Sequence, residues 1–385
     1  MKQYLLLCLI LIIVSPLAAC SQMTGSRPQS VDDVYVQDGD RVKVEAWVGN
    51  LKIPWSLVFL PGDRALVSER PGTIRLIKKG KLQQKPYAIL PVHHSGEGGL
   101  MGLAVHPDFA RQPFIYAMYT FRKKDGSLDN RVVKLRDSGD SAAVDKVVIE
   151  GIPGARLHDG GRIAFGPDGM LYITTGENFQ ADMAQDITSL GGKILRITSD
   201  GSVPTDNPFT GSPIWSYGHR NPQGLAWQPG TGRLFASEHG PSGEYARFAH
   251  DEINLIVKGG NYGWPRVIGA GGDSAYIDPV VVWKQTTPPS GMTFYSGTKL
   301  SHLRGDLFVA TLKSRALVRI RLDRERAVRI ERWFTNENGE SRYGRLRDVV
   351  EGPDGALYML TNNTDGRGNP SPGDDRIYRI TGKEQ

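Results

Sequence analysis

Short runs in which apolar and polar residues alternate recur along the whole chain, most clearly in 156–177, RLHDGGRIAFGPDGMLYITTGE. Arg162-Ile163-Ala164-Phe165 has the period-two alternation of a strand with one buried face. Gly166-Pro167-Asp168-Gly169 follows as a tight turn: Pro pre-sets φ, Asp caps the turn, and Gly takes positive φ without steric cost. Met170 to Thr175 is a second run of β-formers, so the unit is a hairpin. His158-Asp159 stands before the first strand and Glu177-Asn178 after the second. In an antiparallel hairpin those ends lie side by side, so His158 and Glu177 can meet although they are 19 positions apart.

The same unit recurs with first strands that start at Leu57, Leu103, Ile163, Leu225, Met292 and Val349, in steps of 46, 60, 62, 67 and 57 residues. Most copies are followed by a strand with a basic-aliphatic ending, such as Ile74-Arg75-Leu76, Ile194-Leu195-Arg196-Ile197 and Ile377-Tyr378-Arg379-Ile380. Each step is long enough for four strands plus variable loops. The pattern predicts an all-β chain, a six-bladed β-propeller with four-stranded antiparallel blades. Two stacked sandwiches are the alternative, and the even repeat of one hairpin argues against them. The strand at 41–48 precedes the first copy. It is expected to supply the outer strand of the last blade, which closes the ring and removes an open edge.

The N-terminus follows different rules. Lys2, the apolar run from Leu5 to Val14, and Leu17-Ala18-Ala19-Cys20 match a bacterial lipoprotein signal, with Cys20 as the lipidated first residue. The run is too short for a retained spanning helix. We expect three segments: a signal peptide at 1–20, a polar, flexible tether at 21–40, and a propeller catalytic domain at 41–385. The expected location is outside the cytoplasm, lipid-anchored to the outer membrane and facing the periplasm. Cys8 and Cys20 are the only cysteines, so the mature chain has no disulfide and no thiolate metal site. A domain of about 345 residues is long enough to be held by its core instead. The formal charge of +6 is spread out, with no basic block of the kind that binds nucleic acid.

Candidate chemistry follows from the repeat. In a propeller, loops entering the innermost strands and loops leaving the second strands share one face. Glu97, His158-Asp159, His219-Arg220-Asn221 and Arg345-Leu346-Arg347 stand before first strands. Glu177-Asn178, Glu238-His239-Gly240-Pro241 and Lys313 stand after second strands. Singly, each arginine reads as a solvated surface residue; recurrence at equivalent positions marks Arg220, Arg345, Arg347 and Lys313 as a group. Four cations converging on one cleft repel each other unless an anion sits between them. Arginine forks suit carboxylates or phosphates, and no Gly-rich loop opens a helix here, so a flat polycarboxylate fits better than a phosphate. His158 suits a general base, with a reference pKa of ~6.5. Glu177 is placed to hold one of its ring nitrogens. Gly240-Pro241, Asp251-Glu252 and the turn at 260–265 offer hard oxygen ligands, which favour calcium over zinc.

These residues resemble the soluble, PQQ-dependent aldose sugar dehydrogenases, the family that includes soluble glucose dehydrogenase. The resemblance runs from about Ile53 to the last strand. It is carried by Gly98-Gly99-Leu100-Met101-Gly102-Leu103, His106-Pro107-Asp108-Phe109, and His158 with Gly161-Arg162. Further pieces are Tyr217-Gly218-His219-Arg220-Asn221-Pro222-Gln223-Gly224, Glu238-His239-Gly240-Pro241, Asn261-Tyr262-Gly263-Trp264-Pro265 and Arg345-Leu346-Arg347-Asp348. It implies that His158 takes the proton of the sugar C1 hydroxyl while hydride passes to PQQ, with Glu177 orienting His158. It implies that Arg220, Asn221, Lys313, Arg345 and Arg347 bind the quinone's carboxylates and carbonyls. The carbonyls of Gly240 and Pro241 would hold a calcium ion at PQQ, and Glu252 and Tyr262 a second, structural calcium. The implied reaction is PQQ- and calcium-dependent oxidation of an aldose at C1 to its lactone.

Two departures stand out. Glu97 takes a position where the family pattern carries Gln as a cofactor contact, and a carboxylate there opposes an anionic cofactor unless it is protonated or turned toward a cation such as Arg220. The segment 242–250 lengthens the loop between Gly240-Pro241 and Asp251-Glu252. Two other readings remain open: a calcium-dependent lactonase-type hydrolase, which predicts acidic residues at the central face, and a non-catalytic propeller that binds glycan or protein. The electron acceptor, the preferred sugar, and monomer or dimer are not legible in the residues.

Overall fold

A computed structural model describes residues 31–383. Its strands form six antiparallel sheets arranged as the blades of a propeller. Numbered along the chain, the blades start with the innermost strands Pro54–Leu60, Leu100–Val105, Ile163–Phe165, Pro222–Trp227, Pro289–Phe294 and Leu346–Glu351. In blades 2 to 5 the next three strands follow outward in chain order. Blade 6 takes its outer strand from the N-terminal side: Val42–Val48 pairs antiparallel with Ile377–Gly382 and closes the ring, as expected. The expected signal peptide at 1–20 lies outside the described residues. The expected tether is corrected in part, because Asp33–Val36 is a strand that adds parallel to Arg326–Trp333 on the edge of blade 5. The bond from Arg332 Nε to Asp33 Oδ2, 2.5 Å, helps to hold it there.

The apolar alternation has a specific use. Among the described residues, the core is divided into six apolar clusters, each lying between adjacent blades. The one that joins blade 6 to blade 1 packs Leu360 and Ile377 against Leu57 and Val67. Each sheet is therefore buried on both faces, as in any stack of packed sheets.

The innermost strands carry a second feature. Register shifts interrupt their pairing between Pro54 and Ser56, between Pro222 and Gly224, and between Leu346 and Asp348. The residues skipped are Trp55, Gln223 and Arg347. A bulge re-aims the extra side chain, and here all three converge. Arg347 Nη1 donates to Gln223 Oε1 at 2.7 Å, and its guanidinium carbon lies 5.7 Å from the Trp55 ring centroid. Arg162, from the start of blade 3, completes this floor. It donates to Gln223 O and Asp348 Oδ2, and its guanidinium carbon lies 4.3 Å from the Trp55 ring centroid.

Candidate active site

Above this floor, blade 3 presents His158. Its loop and the loop after the second strand pass very close: a Cβ on Gly176 would lie 1.8 Å from His158 O, so only glycine fits there. His158 itself holds a left-handed φ of 59°, a conformation unusual for a residue with a side chain. Its Nδ1 meets Glu177 Oε1 at 2.5 Å, and both side chains are buried. Its Nε2 faces Arg220 Nη2 at 3.0 Å. Phe179 stacks on the imidazole with centroids 3.9 Å apart.

The repeat makes a second such couple in the next blade. His219 Nδ1 meets Glu238 Oε2 at 2.9 Å, again across 19 positions. Its Nε2, however, is taken by Ser216 Oγ at 2.9 Å, and the residue is fully buried. Only the blade 3 couple leaves a ring nitrogen toward the central cations.

Arg220 is buried and shared. It donates to His158, to His239 O and, from the same Nη2, to Glu244. Asn221 Oδ1 accepts Gly160 N at 3.0 Å and pins the turn after His158. Arg345 pairs with Asp365 at 2.8 Å. The pKa of Arg347 is pulled down to about 9, first by burial and then by the charge of Arg70 beside it. Arg70 was not among the sequence candidates. It directly follows the second strand of blade 1, the same place in the repeat as Glu177-Asn178 and Glu238-His239, so the repeat offset contained the signal. Asp365 and Arg367, from the long polar loop after the second strand of blade 6, were missed as well.

Several buried donors around this centre have no partner: Nε of Arg70, Arg220, Arg345 and Arg347, and Asn221 Nδ2. Buried polar groups are nearly always paired, so a cluster of orphaned donors marks a place for an acceptor-rich anion. Lys313 lines a groove with Arg345 of this cluster. It is exposed on the rim, and Arg367 lines the same groove.

Glu97 has turned to a different cation from the one expected. Its Oε1 accepts from Arg367 at 2.8 Å, not from Arg220, and its Oε2 accepts His158 N at 3.3 Å. Burial alone would raise its carboxyl, but His239, Arg367 and His158 outweigh that and draw it down to about 2. His239 is itself pushed down to about 3, chiefly by burial, so at neutral pH it is uncharged and Arg367 is the cation bonded to the Glu97 carboxylate. Asp159 is the opposite case: burial pushes it up to about 7 despite bonds from Ala155 N and Asn130 Nδ2.

The hard-oxygen residues gather in one pocket lined by Gly240, Pro241, Glu252 and Tyr262. Asp251 Oδ1 accepts Gly240 N at 3.0 Å and fixes the turn. A Cβ on Gly240 would meet Ala249 O at 2.1 Å, so this turn also requires glycine. Glu238 and Glu252 are strand partners that share Asn254 Nδ2, 3.2 Å from each. Burial, then the charge of Glu238, pushes Glu252 well above the usual carboxylate range. The Tyr262 hydroxyl is used internally, accepting from Val257 N and donating to Leu255 O, which leaves its backbone carbonyl as the group it can offer a cation. No group of three or more His, Cys, Asp or Glu side chains suited to a metal occurs among the described residues.

The chain is similar to several known proteins. The aldose sugar dehydrogenase of Escherichia coli K12 is 36% identical over 349 residues, covering 84% of this chain and 91% of that protein. A structure of the PQQ-bound form of aldose sugar dehydrogenase from Streptomyces coelicolor is 41% identical with a TM-score of 0.77, covering 89% of this chain and 99% of that one. The structure of a proposed oxidoreductase (glucose dehydrogenase) from Thermus thermophilus is 51% identical with a TM-score of 0.80, covering 88% of this chain and 99% of that one. The model of the family described as Glucose / Sorbosone dehydrogenase matches residues 51–377, and this chain belongs to that family.

Proposed function

We propose that the protein oxidises an aldose at C1 to the lactone, with PQQ as the resident electron acceptor and calcium beside it. The observation that carries this reading is the ring of orphaned buried donors on Arg70, Arg220, Arg345, Arg347 and Asn221 around an oriented His158. Those residues fit a planar tricarboxylate, whose charge would relieve their mutual repulsion. The turn at Gly240-Pro241 and the Glu238–Glu252 pair fit a hard divalent cation, because two buried carboxylates without one repel each other. When bound, PQQ accepts the two electrons of the C1 hydride and calcium acts as a Lewis acid on its quinone.

The chain's own part is proton handling and binding. His158 Nε2 accepts the C1 hydroxyl proton, and Glu177 balances the imidazolium that results. Arg220 holds the base in place and supplies positive charge to the cofactor. The lactonase-type alternative needs free acids in the channel. Asp348, Glu97 and Asp365 are instead engaged by Arg162, Arg367 and Arg345.

The test is reconstitution of the mature chain with PQQ, with and without calcium, followed by glucose-dependent reduction of a dye. Dye reduction that needs both additions supports the reading; a folded protein that binds no PQQ sinks it. We also propose export and lipid anchoring at Cys20. Cys20→Ser should leave the precursor unlipidated, read by fatty-acid labelling of the cells, and equal labelling of the variant would exclude Cys20.

A further inference from the structure

Lys193 opens the third strand of blade 3, Lys193–Ile197, and is fully buried. A lysine buried this deeply is ordinarily paired with a carboxylate, because an unpaired ammonium taken out of water is costly. Its three donors go instead to three backbone carbonyls: Met183 O at 2.8 Å, Ala184 O at 3.1 Å and Gly191 O at 2.6 Å. Asp186, the acid that supports its charge, is exposed and bonded to Thr188. Burial outweighs Asp186 and draws the ammonium down to about 7. Converging carbonyls of this kind replace the water shell of a cation.

The three carbonyls belong to the loop 176–192, which carries Glu177 at its start. Glu177 O accepts Gln180 N, Gln180 O accepts Met183 N, and Met183 O accepts the Lys193 ammonium. One line of hydrogen bonds therefore runs from the acid beside His158 to the buried cation. A second line passes through Ala184 O, which also accepts Gly218 N at the entry to blade 4. Two residues on is Arg220, whose carbonyl accepts Glu177 N at 2.9 Å. The return of the loop is close-packed: a Cβ on Gly191 would lie 2.2 Å from Met183 Sδ, and one on Gly192 2.6 Å from His219 O. Both partners of His158, Glu177 and Arg220, are thus carried by backbone that converges on one ammonium. A methionine would fill a similar volume and leave the carbonyls unpaired, so packing alone does not call for a charge here.

We propose that Lys193 is a positioning residue for the base, and that Met183, Ala184 and Gly191 form a cage for an ammonium-type monovalent cation, filled in this chain by its own side chain. Lys193 acts through the loop backbone, which sets Glu177 and Arg220 against the two nitrogens of His158. The effect on turnover rests on the proposed aldose oxidation; the cage and its hold on His158 do not.

The test uses Lys193→Met, which keeps the side-chain length without the charge, and Lys193→Ala, which empties the cage, each in the mature chain. With PQQ and calcium loaded, kcat of both should fall about 10- to 100-fold, while KM for glucose and PQQ affinity change little. Propylammonium should restore much of the loss in Lys193→Ala. Tetramethylammonium, which has no N–H to donate, should not, and neither amine should act on Lys193→Met. Wild-type kcat in Lys193→Met overturns the proposal. The cofactor-free proteins give readouts apart from turnover. Propylammonium should raise the melting temperature of Lys193→Ala and not that of wild type. The His158 Nδ1 proton, held against Glu177, should resonate far downfield in proton NMR of wild type and of the rescued alanine variant, but not of Lys193→Met. The same melting and NMR results in a protein that oxidises no sugar uphold the positioning and sink only the oxidation reading. Three outcomes assign Lys193 to structure alone and overturn the proposal: a downfield signal missing from wild type or unchanged in Lys193→Met, a melting temperature that propylammonium raises without recovery of kcat in an enzyme that is active as wild type, or variants that fold neither with the amine nor without it.

Discussion

Nη2 of Arg220 lies 3.0 Å from Nε2 of His158. A guanidinium only donates, so His158 Nε2 is the accepting nitrogen and Nδ1 carries the proton toward Glu177 Oε1. The imidazole is thus held in the tautomer a base needs at Nε2, and the lone pair that would receive a substrate proton is occupied by an arginine meanwhile.

His158→Ala should lower kcat by roughly 100- to 10,000-fold with PQQ affinity changed little. Glu177→Gln keeps an acceptor at Nδ1 but removes the charge that stabilises the imidazolium. Its kcat should fall with PQQ affinity changed little. A kcat that stays at the wild-type value would remove Glu177 from this role.

Glu244 occupies Arg220 from the lengthened loop and is held below its usual range: burial would raise it, but Arg220 outweighs that. An internal carboxylate on that arginine competes with an anionic cofactor. Glu244→Gln should tighten PQQ binding by about 10-fold in a fluorescence titration. Equal or weaker binding would show that the two do not compete.

Arg70 is buried among like charges, and its Nη1 donates to Gly96 O at 3.0 Å. Its charge depresses Arg347. Arg70→Met should therefore leave the melting temperature of the cofactor-free protein unchanged or higher, while weakening PQQ binding by about 10-fold or more. A large loss of apo stability would mark Arg70 as structural instead.

Asp159 titrates at about 7 in the fold against 3.8 as a free side chain. With a raised folded pKa, its contribution to stability is complete below the unfolded pKa and is lost as pH rises through 7. Asp159→Asn keeps an acceptor for Ala155 N and Asn130 Nδ2 and cannot ionise. In the cofactor-free protein its melting temperature should gain on wild type between pH 5 and pH 8. A constant difference across that range would contradict the raised pKa.

Much of the architecture was legible because a hairpin is a local object. Alternation, a Gly-Pro-Asp-Gly turn and a recurring step are written in neighbouring residues, and six repeats left few ways to bury both faces of each sheet. The same locality placed His158 beside Glu177 before any tertiary contact was known. Arg70 and the loop holding Asp365 and Arg367 were as accessible by repeat position and were overlooked, since no single residue there has an unusual neighbourhood.

What the residues alone determined is what depends on short-range chemistry: strands, turns, ring closure by 41–48, and the His158–Glu177 couple. Only the tertiary structure showed a second couple, His219 with Glu238, and distinguished the two. Ser216 closes the His219 nitrogen, whereas the His158 nitrogen faces a cation from another blade. It also decided that register shifts bring Gln223 and Arg347 together, 124 positions apart, that Glu97 turns to Arg367, and that Lys313 stays on the rim. These outcomes depend on which blades face one another across the axis and on how charges buried there compensate, and those are distances between remote parts of the chain, which a one-dimensional pattern does not contain.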